Sequence, residues 1–290
     1  MKRRLTSVCK GADVIHFLGN GPELLGFAAA EAAARLRIPF VISPALHAGQ
    51  WGDSWIDLAL YRKASLLLAH TKFEKAVLER MGIPANRCRV IRHGSDSSRK
   101  GDGTIFRVKH TINGPIILFL GRKTQAKGML YLLEAFTSVR QRFPAATLVL
   151  AGPGEGKCEY NLTEGVIDLD DLDEANKENA LAACDVLCVP SEGESFGMVY
   201  FEAWSYAKPV VGLDLPTLRE TIGESRGGLL TERSTSAIAE ALCRILEDPQ
   251  EGQRMGERGF QFGRQYSWSE CVRTLVSAYT ESVKMETLQA

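Results

Sequence analysis

Apolar runs long enough to cross a membrane are missing from this 290-residue chain. None approaches the ~18–20 residues a span needs, and the opening Met1-Lys-Arg-Arg-Leu-Thr-Ser7 lacks the apolar core of a secretory signal. Net charge is missing too: 35 Lys and Arg face 35 Asp and Glu, so nothing in the total marks a nucleic-acid binder. Cysteine pattern is absent. The seven cysteines (9, 88, 158, 184, 188, 243, 271) are odd in number and scattered, and Cys184 with Cys188 lacks the further ligands of a zinc site. Reduced thiols in a cytoplasmic protein are the expectation. There Asn161-Leu162-Thr163, although it fits a glycosylation acceptor, carries no meaning. No Asp-x-Asp pair stands in a convincing metal loop; Asp168, Asp170, Asp171 and Asp173 read as the approach to a helix and a solvated turn.

What is present is globular: 45% hydrophobic and 24% charged residues, in a length that suits two domains. The charge is unevenly laid out. Residues 1–112 hold 18 Lys and Arg against 9 Asp and Glu, while 113–290 hold 17 against 26, and all five histidines fall in the first part. This suggests two domains of opposite polarity facing one cleft, the basic one available to an anionic acceptor or a membrane surface.

Short apolar runs alternate with longer helical patterns. Strands are expected at 12–18, 39–43, 65–69 and 89–91, with helices at 22–37 (opened by Pro22), 55–63 and 73–81. Residues 94–114 carry no period and read as a linker. The pattern then restarts, with strands at 116–120, 146–151, near Val166, at 185–189 and at 209–212. Helices are expected at 129–143, 175–184 and 196–206. Strands apolar on both faces call for parallel sheets covered by helices, hence an α/β protein of two Rossmann-like domains. Ligands of such sheets bind at the carboxyl ends of the strands.

Two loops there could carry chemistry. Gly121-Arg122-Lys123-Thr124-Gln125-Ala126-Lys127-Gly128 follows a strand and precedes a helix; Arg122 and Lys127 could neutralise a diphosphate, or stand as ordinary solvated cations. Pro190 to Ala203 holds Glu194, Ser195 as a plausible helix N-cap, the amides of Phe196, Gly197 and Met198 as an anion site, and Glu202 two turns inside the helix. Two such carboxylates could accept hydrogen bonds from sugar and ribose hydroxyls, though two glutamates eight apart are common on solvated helices.

Together the motifs resemble the family 4 retaining glycosyltransferases. The resemblance rests on Gly121 to Gly128, Pro190-Ser191-x-Gly193-Glu194-x-Phe196-Gly197, Glu202-Ala203 and Lys208-Pro209-Val210-Val211. Phe40 to Pro44 followed by His47, the Arg92-His93-Gly94 turn and Tyr266-Ser267-Trp268 extend it over nearly the whole chain. It implies a GT-B fold, with a donor domain at 113–265 and a terminal helix at 266–290 packing back towards a first domain at 1–112. It implies a hexose moved from a nucleotide-diphosphate sugar to a glycan, lipid-linked or small hydroxyl acceptor, without cofactor or metal. Arg122 and Lys127 would hold the diphosphate, Glu194 with the amides after it the transferred sugar, and Glu202 the ribose; the strand near Val166 would give backbone contacts to the base. His47 and Glu194 would be the catalytic residues, and the enzyme would be cytoplasmic, peripheral to a membrane at most, with no nucleic-acid partner.

Three departures accompany the resemblance. The family has about three strands before the equivalent of Ala12–Leu18, the first followed by a glycine-rich loop, so the first domain reads as shortened. Ala207 stands where a glycine is favoured. Asp214 to Glu220 replaces a paired-glycine loop. The alternative to a self-sufficient enzyme is therefore a donor-binding module or one subunit of a split enzyme. A first sheet ending at an uncovered edge near 12–18 would invite a second chain or self-association.

Overall fold

The computed structural model describes residues 2–95, 100–154 and 164–287. Cys158, Asn161–Thr163 and part of the expected 94–114 linker lie outside them. The chain forms two compact units, Met1–Gly94 with Trp268–Ala290, and Ser95–Ser267.

The first unit runs α1 (Lys2–Val8), β1 (Ile15–Leu18), α2 (Leu25–Leu36), β2 (Phe40–Ser43), α3 (Trp55–Tyr61), β3 (Leu66–Ala69), α4 (Lys72–Arg80) and β4 (Cys88–Val90). Its sheet is parallel in the order β1-β2-β3-β4. Among the described strands β1 pairs on one side only, with β2, and is an edge. β2 and β3 are buried on both faces: Phe40, Ile42 and Leu67 pack under α2–α4, while Val41, Leu66 and Leu68 face the other way. The expected opening of α2 at Pro22 is displaced to Leu25, after a turn that Asp57 anchors by accepting the Gly21 amide at 2.6 Å.

The second unit runs α5 (Gly103–Lys109), β5 (Ile116–Leu120), α6 (Met129–Arg142), β6 (Thr147–Ala151), β7 (Val166–Leu169), α7 (Glu174–Ala183), β8 (Val186–Cys188), α8 (Met198–Ser205) and β9 (Val210–Leu213). There follow α9 (Pro216–Leu218), which widens into a π turn at Arg219–Gly223, then β10 (Gly228–Thr231), α10 (Thr235–Glu247) and α11 (Pro249–Gly263). The sheet is parallel in the order β10-β9-β8-β5-β6-β7. The chain therefore leaves β5 in one direction through β6 and β7, and in the other through β8, β9 and β10. Between β5 and β8 lies the switch point where doubly wound sheets open a crevice.

The last helix, α12 (Trp268–Thr287), belongs to the first unit, where Cys271, Leu275, Ala278 and Tyr279 pack on Val41, Leu66 and Leu68. The units divide after Gly94 rather than after 112, because part of the expected linker is α5. Asp102 caps it by accepting the Thr104 amide, and Phe106 is buried in the second core. A helix of 7 residues is too short to show a period.

Candidate donor-binding site

The loops after β5 and β8 meet at the switch point. Gly128 caps α6 with φ 76°, and a Cβ there would stand 2.0 Å from the Pro190 carbonyl oxygen, so both conformation and approach need glycine. The Glu192 amide donates to the Ala126 carbonyl at 2.9 Å, lacing the loops by backbone. Lys127 Nζ then reaches Glu194 Oε1 at 2.5 Å, with 9% of the Glu194 side chain exposed. Sequence distance of 67 residues becomes one ion pair. Arg122 is exposed in the same β5 loop.

Helix α8 begins at Met198, later than its sequence suggests. Its N-cap is Gly197, with φ 83° and no side-chain bond, so Ser195 is not the cap. The left-handed backbone of Gly197 keeps the residues before it out of the helix, and only glycine fits there: a Cβ would lie 2.6 Å from the Tyr200 ring, whose hydroxyl donates to the Val189 carbonyl at 2.6 Å. In the first turn of α8 the Tyr200 amide donates to the Gly197 carbonyl at 3.0 Å; the amides at such a helix start could serve an anion. Phe196 points inward, 2% exposed, stacked on Phe201 in a cluster with Phe262 and Tyr266, so only its backbone could face a ligand. Burial, with the Glu194 charge added, pushes the Tyr200 phenol well above its ordinary value. Glu202, half-exposed on α8, meets Lys177 of α7 at 3.2 Å. The Ser191 hydroxyl is fully buried and lacks a hydrogen-bond partner among the described residues.

Two family models match this chain: "Glycosyl transferases group 1" over residues 114–248, and "Glycosyl transferase 4-like domain" over residues 3–94. The chain belongs to the group 1 glycosyltransferases. The phosphatidyl-myo-inositol mannosyltransferase of Mycobacterium leprae is 32% identical over 173 residues, covering 57% of this chain and 46% of its own. The D-inositol 3-phosphate glycosyltransferase of Corynebacterium urealyticum is 29% identical over 240 residues, covering 74% and 56%. The chain thus spans about half the length of these curated relatives. Among solved structures, Anabaena HepE in complex with UDP aligns over 97% of this chain and 82% of its own, at TM-score 0.84 and 21% identity. Sucrose-phosphate synthase from Thermosynechococcus elongatus aligns at TM-score 0.77 and 20% identity, covering 96% and 76%. The fold of this group 1 glycosyltransferase is GT-B.

His47, in the first unit, sits after β2 in a short antiparallel bridge with Trp51, its ring tilted 35° against the indole with centroids 4.0 Å apart. Its Nδ1 lies 3.1 Å from the Ala45 carbonyl, a partner that can only accept, so that nitrogen is the donor in this contact. The loop is held from below by Glu74, a buried carboxylate on α4 that accepts the Leu46 amide at 2.7 Å and the His70 amide. Burial raises the Glu74 carboxyl to about 7. Burial, aided by the stacked His93 ring, lowers His70 to about 4.

Sequence reasoning passed over four residues that hold these loops and strand ends. Glu74 follows Thr71 at capping spacing, a signal available in the sequence. Ser54 and Asp57 form a full capping box, also legible. Lys123 had no signal: it is 3% exposed and pairs with Asp168 of β7. The acidic run departs from expectation only at Asp168. Asp168 is a strand residue in that pair, Asp173 caps α7, and Asp170 is exposed. Among the described residues no three His, Cys, Asp or Glu side chains converge as metal ligands, and no helix is long and apolar enough to cross a membrane. A cavity of about 820 Å³ opens at the amino edge of the second sheet, by Pro115, Asp185 and Pro209, and is lined by none of Arg122, Lys127, Glu194 and Glu202.

Proposed function

We propose that this chain binds a nucleotide-diphosphate sugar at the β5/β8 switch point and transfers its hexose, with retention of anomeric configuration, to a hydroxyl acceptor. The observation that carries the reading is the convergence there of Lys127, the nearly buried Glu194 and the first-turn amides of α8. Arg122 and Lys127 would balance the diphosphate and its leaving-group charge, with the helix terminus in place of a metal. The Lys127–Glu194 pair would serve both ends of the scissile bond: the ammonium towards the phosphate oxygens, the carboxylate towards hydroxyls of the transferred sugar. Glu202 would accept from the ribose. His47, in the first unit, would be the catalytic histidine.

Relatives named for phosphatidyl-myo-inositol and D-inositol 3-phosphate make inositol-bearing compounds the first acceptors to try. Solved neighbours in complex with UDP and UDP-glucose support a nucleotide-sugar donor. The excess of 18 cationic over 9 anionic residues in 1–112 supports peripheral contact with an anionic surface. Calorimetry with UDP, GDP and ADP tests the donor site. Binding in the presence of a chelator is expected for one of them; binding only with magnesium or manganese would show the charge balance to be misread.

The open edge at β1 favours a second reading, in which the chain is a donor-binding subunit completed by another chain or by self-association. Light scattering together with a transfer assay separates the two. An oligomer with little activity alone supports the second reading, and a soluble monomer with full transfer activity eliminates it.

A further inference from the structure

We infer that the His47–Trp51 ring pair is a stacking platform for a cyclic polyol, the pyranose or cyclitol ring of the acceptor. The inference rests on the reading that the chain transfers to a hydroxyl acceptor, and it gives that acceptor's ring a place on named side chains. Trp51 is 45% exposed. Exposure alone decides nothing, since single apolar side chains are ordinary on protein surfaces. Trp51 is set apart by how firmly it is held. Its indole N–H donates to the Ala45 carbonyl at 3.3 Å, the oxygen that His47 Nδ1 also meets at 3.1 Å. The His47 amide donates to the Trp51 carbonyl and the Trp51 amide to the His47 carbonyl, each at 3.0 Å. Both rings are thus fastened by their backbones and by one nitrogen edge. None of the described buried cores includes Trp51, so the indole is fixed without being consumed by packing.

The loop beneath is clamped from the core at both ends. Buried Glu74 accepts the amide of Leu46, itself a core residue, at 2.7 Å, and the buried Tyr61 hydroxyl donates to the Gly52 carbonyl at 3.0 Å. At the tip Asp53 accepts the Gly49 amide at 2.6 Å. A tryptophan held this way has already given up the rotamer freedom that binding would otherwise remove. The loop follows β2, at the carboxyl edge of a parallel sheet, where ligands of such sheets bind. An indole face is electron-rich, so the weakly positive C–H bonds on one face of a pyranose or cyclitol settle on it. The hydroxyls of that ring point outward from its rim, and the exposed polar residues of the loop, Gln50 and Asp53, are of the kind that bond them. An open-chain polyol carries the same hydroxyls and has no such face.

Saturation-transfer NMR on the full chain tests this, with myo-inositol and methyl α-D-glucopyranoside as the rings and sorbitol as the open chain. The wild type is expected to bind the rings about tenfold more tightly than sorbitol. Trp51→Ala is expected to lose about tenfold in ring affinity, and Trp51→Phe, with a smaller ring and no edge bond, to fall between. Trp55→Ala, on α3 and 81% exposed in the wild type, is expected to change nothing. If circular dichroism shows Trp51→Ala unfolded, Trp51→Phe and the ratio of ring to open chain decide. Ring affinity unchanged in Trp51→Ala overturns the inference, as do sorbitol bound as tightly as the rings and a wild type that binds neither ring. Tetramethylammonium bound in place of the rings would make the indole a cation site and overturn it too. A transfer assay keeps the two readings apart. Transfer with an unchanged acceptor KM in Trp51→Ala removes the platform and leaves the enzyme, whereas Trp51-dependent ring binding without any transfer keeps the platform and removes the transfer reading.

Discussion

Two glutamates eight residues apart meet two different lysines, and that difference carries a test. Glu194 is paired with Lys127 inside the junction of two loops, whereas Glu202 faces Lys177 across two helices. Replacing Glu202 by Ala is expected to weaken nucleotide and nucleotide sugar alike, by about tenfold to a hundredfold for one lost charge-assisted bond. Replacing Glu194 by Ala is expected to spare the bare nucleotide and weaken the sugar donor; a titration series with the reverse pattern would exchange their roles. A second residue-scale test concerns Glu74 and His70, whose carboxyl rises to about 7 and whose imidazole falls to about 4. Between about 4.5 and 7 the folded state holds the Glu74 proton that the unfolded state releases, so this group lowers stability as pH rises. Between about 4 and 6.5 the unfolded state binds the proton that folded His70 refuses, so this group raises stability as pH rises. Each is worth about 3 kcal/mol and they oppose each other. Glu74→Gln removes the first, and the stability of the first unit is then expected to climb between pH 4.5 and 6.5. Denaturant titrations at several pH values read the slope, which is the informative quantity because the Gln amide also meets a backbone N–H and lowers stability throughout.

At the scale of elements, the junction of the loops depends on Gly128. An alanine there would hold φ 76° and place its Cβ 2.0 Å from a backbone carbonyl, which cannot swing aside as a side chain can. Gly128→Ala is expected to cost about 1–3 kcal/mol and to abolish nucleotide binding, because Pro190 must retreat and carry Glu194 from Lys127. Urea unfolding with calorimetry checks both; tight binding by the variant would mean the loops need not touch. Much of this level was legible beforehand. Unbroken apolar runs such as Ile116–Leu120 and Val210–Val211 mark strands buried on both faces, and the loops after them carry the polar residues. Boundaries were less legible where one backbone angle decides them. The left-handed Gly197 holds α8 back to Met198, and α5 is too short to announce itself. β10 and its pairing with β9 gave no signal, since Gly228-Leu-Leu-Thr231 has only two apolar residues. Lys123 and Asp168 stand 45 residues apart, and no local pattern predicts such a pair.

At the scale of the whole molecule, each unit has its own buried core, one around β2 and β3 and one around β5, β6 and β8. Two thermal transitions are expected, and a nucleotide at about 100 times its dissociation constant is expected to raise only the transition of the second unit, by about 2.7 kcal/mol. Calorimetric scanning with and without nucleotide measures this; a shift of both transitions together would show that the units unfold as one. The placement of α12 has a further consequence, in the order in which the chain can become protein. Residues 95–267 are one unbroken stretch and can close their core while synthesis continues. The first unit is made earlier and finished later, since one face of its sheet, Val41, Leu66 and Leu68, waits for Ala278. On the ribosome the earlier-made of these two units is therefore the later to mature, and during that interval its apolar face is the natural place for a chaperone to act.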